Sequence, residues 1–151
     1  MKDKQLRKEL ILYRISKIKD NVSIVKENLP EEFKDFKKAR LLKDAIYKEI
    51  EFSIELVFDI CAIINSDLRL GTPETEENII TNIEIKKVFS EKIINIIKNM
   101  KRFRNLLVHK YGDIDDEKAF ESISEGLNDF DLIIKEIENV LKKYNGKKEK
   151  K

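Results

Sequence analysis

The residues best suited to chemistry lie together in one short stretch, from Lys101 to Gly112. It contains His109, the only histidine in the chain, and Arg104 lies five residues before it. Histidine exchanges protons near neutral pH, and arginine stays charged and can hold two phosphate oxygens at once. The pair therefore suits acid–base chemistry beside a phosphate. The alternative is that both side chains only complement the dipole at the end of a helix, with Arg104 a solvated charge.

The spacing of these two residues bears on whether they can act together. Five residues turn a regular helix by about 500°, which leaves the two side chains roughly 140° apart. Arg104 and His109 would then face different sides of the helix. They converge only if the last turn tightens or unwinds, which the nearby Gly112 would permit.

Basic residues are concentrated around this stretch, although the formal net charge of the whole chain is only +2. Between Lys86 and Lys110 there are eight Lys or Arg residues and a single acid, Glu91, a local balance of +7. Such a segment can form a surface that attracts phosphates. The alternative interpretation is a helix whose lysines only cover its solvated face.

The composition indicates one all-α domain. The chain has 151 residues, of which 41% are hydrophobic and 40% charged, with only 4 Gly and 2 Pro. Its one cysteine, Cys61, lies in an apolar run and is expected to be a core residue rather than a nucleophile. No apolar run approaches the ~20 residues of a membrane span, and there is no CxxC, histidine pair or P-loop. We therefore expect a cytoplasmic protein with no membrane association, no metal and no cofactor.

Hydrophobic periodicity predicts an antiparallel, up-and-down four-helix bundle with one additional short helix. In the first helix the apolar stripe is expected to include Leu6, Leu10, Tyr13, Val22 and Val25. In the second helix, Asp59 interrupts an apolar run, so we expect it to have a partner or to lie at an edge. The predicted helices are one that ends near Asn28, one from about Glu31 to Asn65, a short one that begins at Pro73 or Glu74 with Thr72 as its N-cap, one capped by Ser90, and a last one that begins at Asp115 or Asp116.

The string Arg104-Asn105-Leu106-Leu107-Val108-His109-Lys110-Tyr111 resembles the R-N-x-x-x-H-x-Y signature of the HEPN superfamily. More narrowly, the chain resembles the HepT-like ribonuclease toxins, which pair with a minimal nucleotidyltransferase antitoxin of the MntA type. The resemblance covers nearly the whole chain, and it is looser around Asp59 and the Gly71-x-Pro73 break. It implies a HEPN-like bundle over residues 1–144. From its composition, the lysine-rich tail over 145–151 is expected to be disordered. It also implies a homodimer that cuts RNA without metal in a cleft between its two motifs.

The side chains of the motif suit this reaction, and their chemistry suggests a role for each. Arg104 would hold the phosphate oxygens and His109 would move the protons, which makes both of them candidate catalytic residues. Asn105 would donate to a phosphate oxygen or orient its neighbours, and Arg102 and Lys101 would be auxiliary phosphate contacts. The expected products are a 2′,3′-cyclic phosphate and a 5′-hydroxyl.

Tyr111 has a separate expected role. Two residues beyond His109, its hydroxyl can contact substrate, and the resemblance implies that the antitoxin transfers AMP to it and so silences the toxin. Another possibility is that Tyr111 only packs over the end of the helix. For the whole chain, the alternative function is a non-catalytic HEPN subunit that binds a nucleotide or a nucleotidyltransferase. A third possibility is a helical interaction protein in which the motif is a coincidence.

Overall fold

The computed structural model describes residues 5–109 and 113–149 of the chain. Within these residues the regular secondary structure is all α-helical, with six helices and no strand. Four helices are long and two are short. They are α1 (Lys8–Asn28), α2 (Phe33–Lys38), α3 (Arg40–Asp67), α4 (Glu76–Ile85), α5 (Glu91–His109) and α6 (Asp116–Glu149).

The four long helices form the predicted bundle. Each packs on the next in chain order, and α6 closes the ring by packing on α1. Arg7 at the start of α1 binds Asp67 at the end of α3, with 2.9 Å between Nε and Oδ1, so these neighbours are antiparallel. The start of α5 lies beside the later part of α6, since the Ser90 amide donates to Glu136. The all-α, up-and-down architecture expected from the periodicity is confirmed.

The prediction of one long helix from Glu31 to Asn65 is wrong, because the chain breaks at Ala39 into α2 and α3. Ala39 has φ −86° and ψ 70°, outside the helical region. The break lets α2 turn inward and bury Phe36 completely. The Phe36 ring packs 5.0 Å from that of Phe120 and 5.7 Å from that of Tyr47, measured between centroids. Packing of this aromatic cluster, rather than any local breaker, sets the helix boundary.

The first helix ends at Asn28 as predicted, and Leu6, Val22 and Val25 of the predicted stripe are buried, but two other members are not. Leu10 and Tyr13 are exposed, whereas Ile11, Ile15 and Ile18 are buried. Apolar residues occur at helical spacing on both faces in the first half of this helix, so periodicity alone did not identify the buried face there.

The short helix α4 begins three residues later than predicted, because its N-cap is Thr75 and not Thr72. The Thr75 hydroxyl accepts a 3.0 Å hydrogen bond from the backbone amide of Asn78. Glu76 is therefore the first residue of α4. This register decides which carboxylates of α4 face α5.

A partly buried network of side-chain amides holds the turn before α4. The Asn65 amide donates to the Gly71 carbonyl at 3.1 Å, and the Asn82 amide donates to the Asn65 side-chain oxygen at 3.1 Å. Gly71 has φ +157°, and a Cβ there would lie 2.8 Å from the Asn82 side chain. Only glycine fits this close approach, which fixes α4 against the end of α3.

The last two helices begin where the sequence predicts. Ser90 accepts from the Ile93 amide at 3.3 Å, and Asp115 accepts from the Lys118 amide at 3.1 Å, so both act as N-caps. The helix α6 continues to Glu149, beyond the predicted end of the domain at residue 144. The division into a domain and a tail stays a prediction. No helix in the described part of the chain has both the length and the apolar character needed to cross a membrane.

Candidate active site

The helix α5 carries most of the predicted site residues, and its buried stripe orients them. Ile93, Ile97 and Met100 face the core. The cations at positions 98, 101 and 104 recur at three-residue steps and face α4, as their ion pairs show. One edge of the predicted basic surface of α5 therefore packs against α4.

Arg104 is held firmly on that edge. Its Nη1 donates to Glu76 Oε2 at 2.9 Å, and its Nη2 donates to Glu76 Oε1 at 2.5 Å, which makes a bidentate pair. The guanidinium carbon also lies 5.0 Å from the centroid of the Phe58 ring, a cation–π contact. With its side chain only 12% exposed, Arg104 is not the solvated surface charge of the alternative interpretation.

The pair keeps both partners charged. Hydrogen bonds from Arg104 lower the pKa of the Glu76 carboxyl, although partial burial acts in the opposite direction. The same hydrogen bonds raise the pKa of Arg104, and the nearby carboxylates of Glu55 and Glu51 add to that effect. A guanidinium has five N–H donors, and Glu76 takes two. The other edge of the Arg104 guanidinium, which carries Nε, can still bind a second anion.

Two further ion pairs continue the contact between α4 and α5. Lys101 donates to Glu77 at 3.1 Å, and Lys98 donates to Glu84 at 3.2 Å. Glu77 is 81% exposed, so its pair is a surface contact, unlike that of Glu76. The acids of α4 thus offset part of the positive charge that the sequence concentrates in α5.

A groove of about 350 Å³ opens between α4 and α5, with α3 beneath it. We call it the α4–α5 groove. It contains three predicted substrate contacts, Lys101, Arg102 and Asn105, but its lining does not include Arg104. The groove is lined by Phe58, Glu77, Ile80, Thr81, Lys98, Lys101, Arg102 and Asn105.

His109 is the last residue of α5 and is exposed. Because α5 is helical as far as this residue, Arg104 and His109 stay roughly 140° apart. The described part of one chain therefore does not bring the two predicted catalytic residues together. Lys110, Tyr111 and Gly112 lie outside the described residues, so the predicted modification site does too.

Two other residues considered in the sequence do not belong to this site. Asp59 is 56% exposed and lies 3.7 Å from Arg14 of α1, measured from Oδ2 to Nε. It has the partner and the edge position that were expected, on the side of α3 that faces α1. Cys61 is completely buried, which agrees with a core residue. Among the described residues, no group of three His, Cys, Asp or Glu is placed to hold a metal ion.

Two residues of the site were not predicted from the sequence. In the sequence, Glu76 is one of several acids near the start of the short helix, and Phe58 lies in the apolar run around Asp59. Nothing local marks either residue as a partner of Arg104, because the contact joins α3, α4 and α5. The available signal was the acidic first turn of α4 together with the basic row on α5.

Comparison with known families shows the class of this protein. The family described as "Ribonuclease HepT-like" matches residues 18–137, which is most of the chain. The chain therefore belongs to the HepT-like ribonuclease family, as the motif indicated.

Individual relatives are similar over nearly their whole length. The protein named mRNA nuclease HepT, from Shewanella oneidensis, is 22% identical over 126 residues, which cover 83% of this chain and 94% of that protein. A solved structure of a tri-AMPylated HEPN toxin from Shewanella oneidensis, in complex with an MNT antitoxin, superposes with a TM-score of 0.78 at 22% identity, covering 86% of this chain and 97% of that one. The cytosolic protein YutE of Bacillus subtilis, of unknown function, superposes with a TM-score of 0.77 at 16% identity, covering 93% and 94%. At these identities the structural likeness shows the shared fold.

Proposed function

We propose that this chain is a metal-independent endoribonuclease, the toxin of a toxin–antitoxin pair, acting through Arg104 and His109. Membership of the HepT-like ribonuclease family supports the activity. The observation that carries the proposal is the setting of Arg104, which Glu76 and Phe58 fix while its Nε edge stays uncommitted to Glu76. A cation fixed in advance at the phosphate position costs little reorganisation when the substrate arrives.

The proposed reaction is transfer within the RNA strand. Arg104 binds the nonbridging oxygens of the scissile phosphate, with Asn105 as a further donor. His109 accepts the proton of the ribose 2′-hydroxyl, and the 2′-oxygen attacks phosphorus. The bond to the 5′-oxygen breaks, and that oxygen takes a proton from a protonated imidazole. The products are a 2′,3′-cyclic phosphate and a 5′-hydroxyl, and no metal or cofactor takes part.

The separation of Arg104 and His109 favours a site built from two copies of the chain. Within one chain they project from different sides of α5, and each chain has a single histidine. A cleft between two copies supplies one imidazole as base and a second as acid, with His109 contributed by one or both. Val108, the neighbour of His109, is 44% exposed, which suits an end of α5 that packs on a second chain.

We further propose that a nucleotidyltransferase antitoxin silences the toxin by transferring AMP to Tyr111. The support is the AMPylated relative, together with the position of Tyr111 two residues after His109. A bulky nucleotide anion there would occupy the phosphate site. Incubation with the cognate antitoxin and ATP should add the mass of one or more AMP groups to the wild-type protein. Tyr111→Phe should gain no AMP, whereas the control Tyr13→Phe should be modified like wild type. Modification of Tyr111→Phe would exclude Tyr111 as the target.

The function itself is tested by the ends of the RNA fragments. Cleavage of total RNA in EDTA should leave 5′-hydroxyl ends that polynucleotide kinase labels directly. The 3′ ends should resist poly(A) polymerase until the cyclic phosphate is removed. Fragments with 5′-phosphates, formed only when a divalent cation is added, would contradict the mechanism.

The second candidate is a non-catalytic HEPN subunit that binds a nucleotide or a nucleotidyltransferase partner. It is favoured by the low exposure of Arg104, whose two Nη atoms already bind Glu76. A protein that carries no AMP by intact mass and still leaves RNA uncut would support this candidate over the first.

A further inference from the structure

We propose that the α4–α5 groove binds one nucleotide of the RNA strand, with its base on the apolar floor of the groove and its phosphate at the cations on the rim. This inference rests on the proposed function, because it names how the substrate would be held beside Arg104. It adds a base site to the phosphate contacts expected from the sequence.

The floor of the groove is apolar and is made by two helices other than α5. Phe58 of α3 and Ile80 of α4 line it, and they are 4% and 3% exposed. Thr81, an exposed residue of α4, also lines the groove. An apolar floor with a few polar groups beside it is the usual setting for a planar base, and aromatic contact with bases tolerates any sequence.

The rim supplies donors for a phosphodiester. Lys101 gives one hydrogen bond to Glu77, and its ammonium has two further donors. Arg102 gives one hydrogen bond to the Asn99 side chain, and four of its N–H donors remain. Asn105 adds an exposed amide on the same side of the groove. Exposed ion pairs such as that of Lys101 with Glu77 contribute little, so a phosphate can replace the carboxylate.

The groove is continuous with the proposed catalytic cation. The Phe58 ring lies under the Arg104 guanidinium, with its centroid 5.0 Å away, and the same ring lines the groove. A strand whose scissile phosphate binds Arg104 therefore has its neighbouring nucleotide beside the floor. The volume of about 350 Å³ suits one nucleotide rather than a duplex.

Nuclear magnetic resonance of isoleucine methyl groups tests the base site without any cleavage. The protein is freed of AMP, as checked by intact mass, and titrated with 5′-AMP. The Ile80 δ1 methyl should shift through the ring current of the base, whereas Ile85, exposed on the same helix outside the groove, should not. Ribose 5-phosphate, which lacks the base, should bind about tenfold more weakly. Equal binding of the two ligands, or an unmoved Ile80 signal, would overturn the proposal.

RNA binding supplies the second test, with a matched control on the same helix. In a His109→Ala background, Lys101→Ala should weaken binding of a labelled single strand about fivefold and reduce the salt slope by about 0.7. Lys92→Ala removes an exposed lysine of α5 that does not line the groove, so it should have a smaller effect. Equal effects of the two substitutions would indicate general attraction and refute the site. A protein that binds 5′-AMP at Ile80 but never cuts RNA would contradict only the proposed function.

Discussion

The ion pair between Arg104 and Glu76 gives the sharpest test of the site's construction. Glu76→Gln removes the carboxylate charge and keeps the shape of the side chain. Glu77→Gln is the matched control, since it makes the same change one residue later in the 81% exposed partner of Lys101. The two substitutions differ chiefly in the setting of the pair that each one weakens.

The expected cost follows from burial. Hydrogen bonds to charged groups contribute about 1.5–3 kcal/mol, whereas exposed ion pairs contribute about 0–1 kcal/mol. Arg104 is 12% and Glu76 38% exposed, so this pair lies between the two cases. We expect Glu76→Gln to lower the free energy of unfolding by about 1 to 1.5 kcal/mol and Glu77→Gln by about 0.3 kcal/mol. With a urea m value of about 2 kcal/mol/M, the Glu76→Gln midpoint falls by about 0.6 M.

The pH dependence separates this cause from a change in packing. Because Arg104 lowers the Glu76 pKa in the folded protein, the stabilisation is present above the ordinary carboxyl pKa and is lost as pH falls through the folded value. The gap between wild type and Glu76→Gln should therefore persist from pH 7 to about pH 5 and narrow below about pH 4. Urea melts at one protein concentration measure it. Equal midpoints for the two variants, or a gap unchanged at about pH 3, would refute the assignment.

Three further predictions concern the fold that supports the site. Tyr47→Phe loses a 2.6 Å hydrogen bond to Asp116 and should cost about 1 to 2 kcal/mol in urea melts. Burial and this bond raise the Tyr47 pKa, so wild-type stability should fall as pH rises above about 10, and the variant should lack that fall. Burial raises the pKa of the Cys61 thiol to about 12. The thiol should therefore react with a disulfide reagent at about pH 8 only after the protein unfolds, and rapid reaction of the folded protein would contradict its burial. Gly71→Ala should destabilise the protein by about 1–3 kcal/mol, because the added Cβ clashes with the Asn82 side chain. Gly126→Ala, at a position within α6 where a Cβ has room, should stabilise it by about 0.5–1 kcal/mol. The reverse order of stabilities in thermal melts would refute both expectations.

Features set by local chemistry were predictable from the sequence. Ser90 and Asp115 cap helices at the expected places, because an N-cap needs only one side-chain oxygen near the first amides. The break at Ala39 had no such signal. It depends on the packing of Phe36 against Phe120, which lies at the start of the last helix.

The candidate site likewise contains residues that could be predicted from the sequence and residues that could not. Lys101, Arg102 and Asn105 could be placed together, because they share one helix and one basic run. Glu76 and the floor residue Phe58 come from two other helices, and the contact of Glu76 with Arg104 exists only once α4 has its register. That register depends on Gly71 and the Asn65–Asn82 bond, which spacing along the chain does not reveal.

Cleavage of RNA by the purified protein in EDTA tests whether Arg104 and His109 form a metal-independent ribonuclease site. Wild type is compared with His109→Ala and Arg104→Lys, after mass spectrometry has shown that each protein is free of AMP. Lys92→Ala serves as a control for the loss of a cation elsewhere on α5. We expect wild type and Lys92→Ala to cut, His109→Ala not to cut, and Arg104→Lys to be strongly impaired because lysine cannot bind bidentately. Cleavage by His109→Ala at the wild-type rate would contradict a catalytic role for His109.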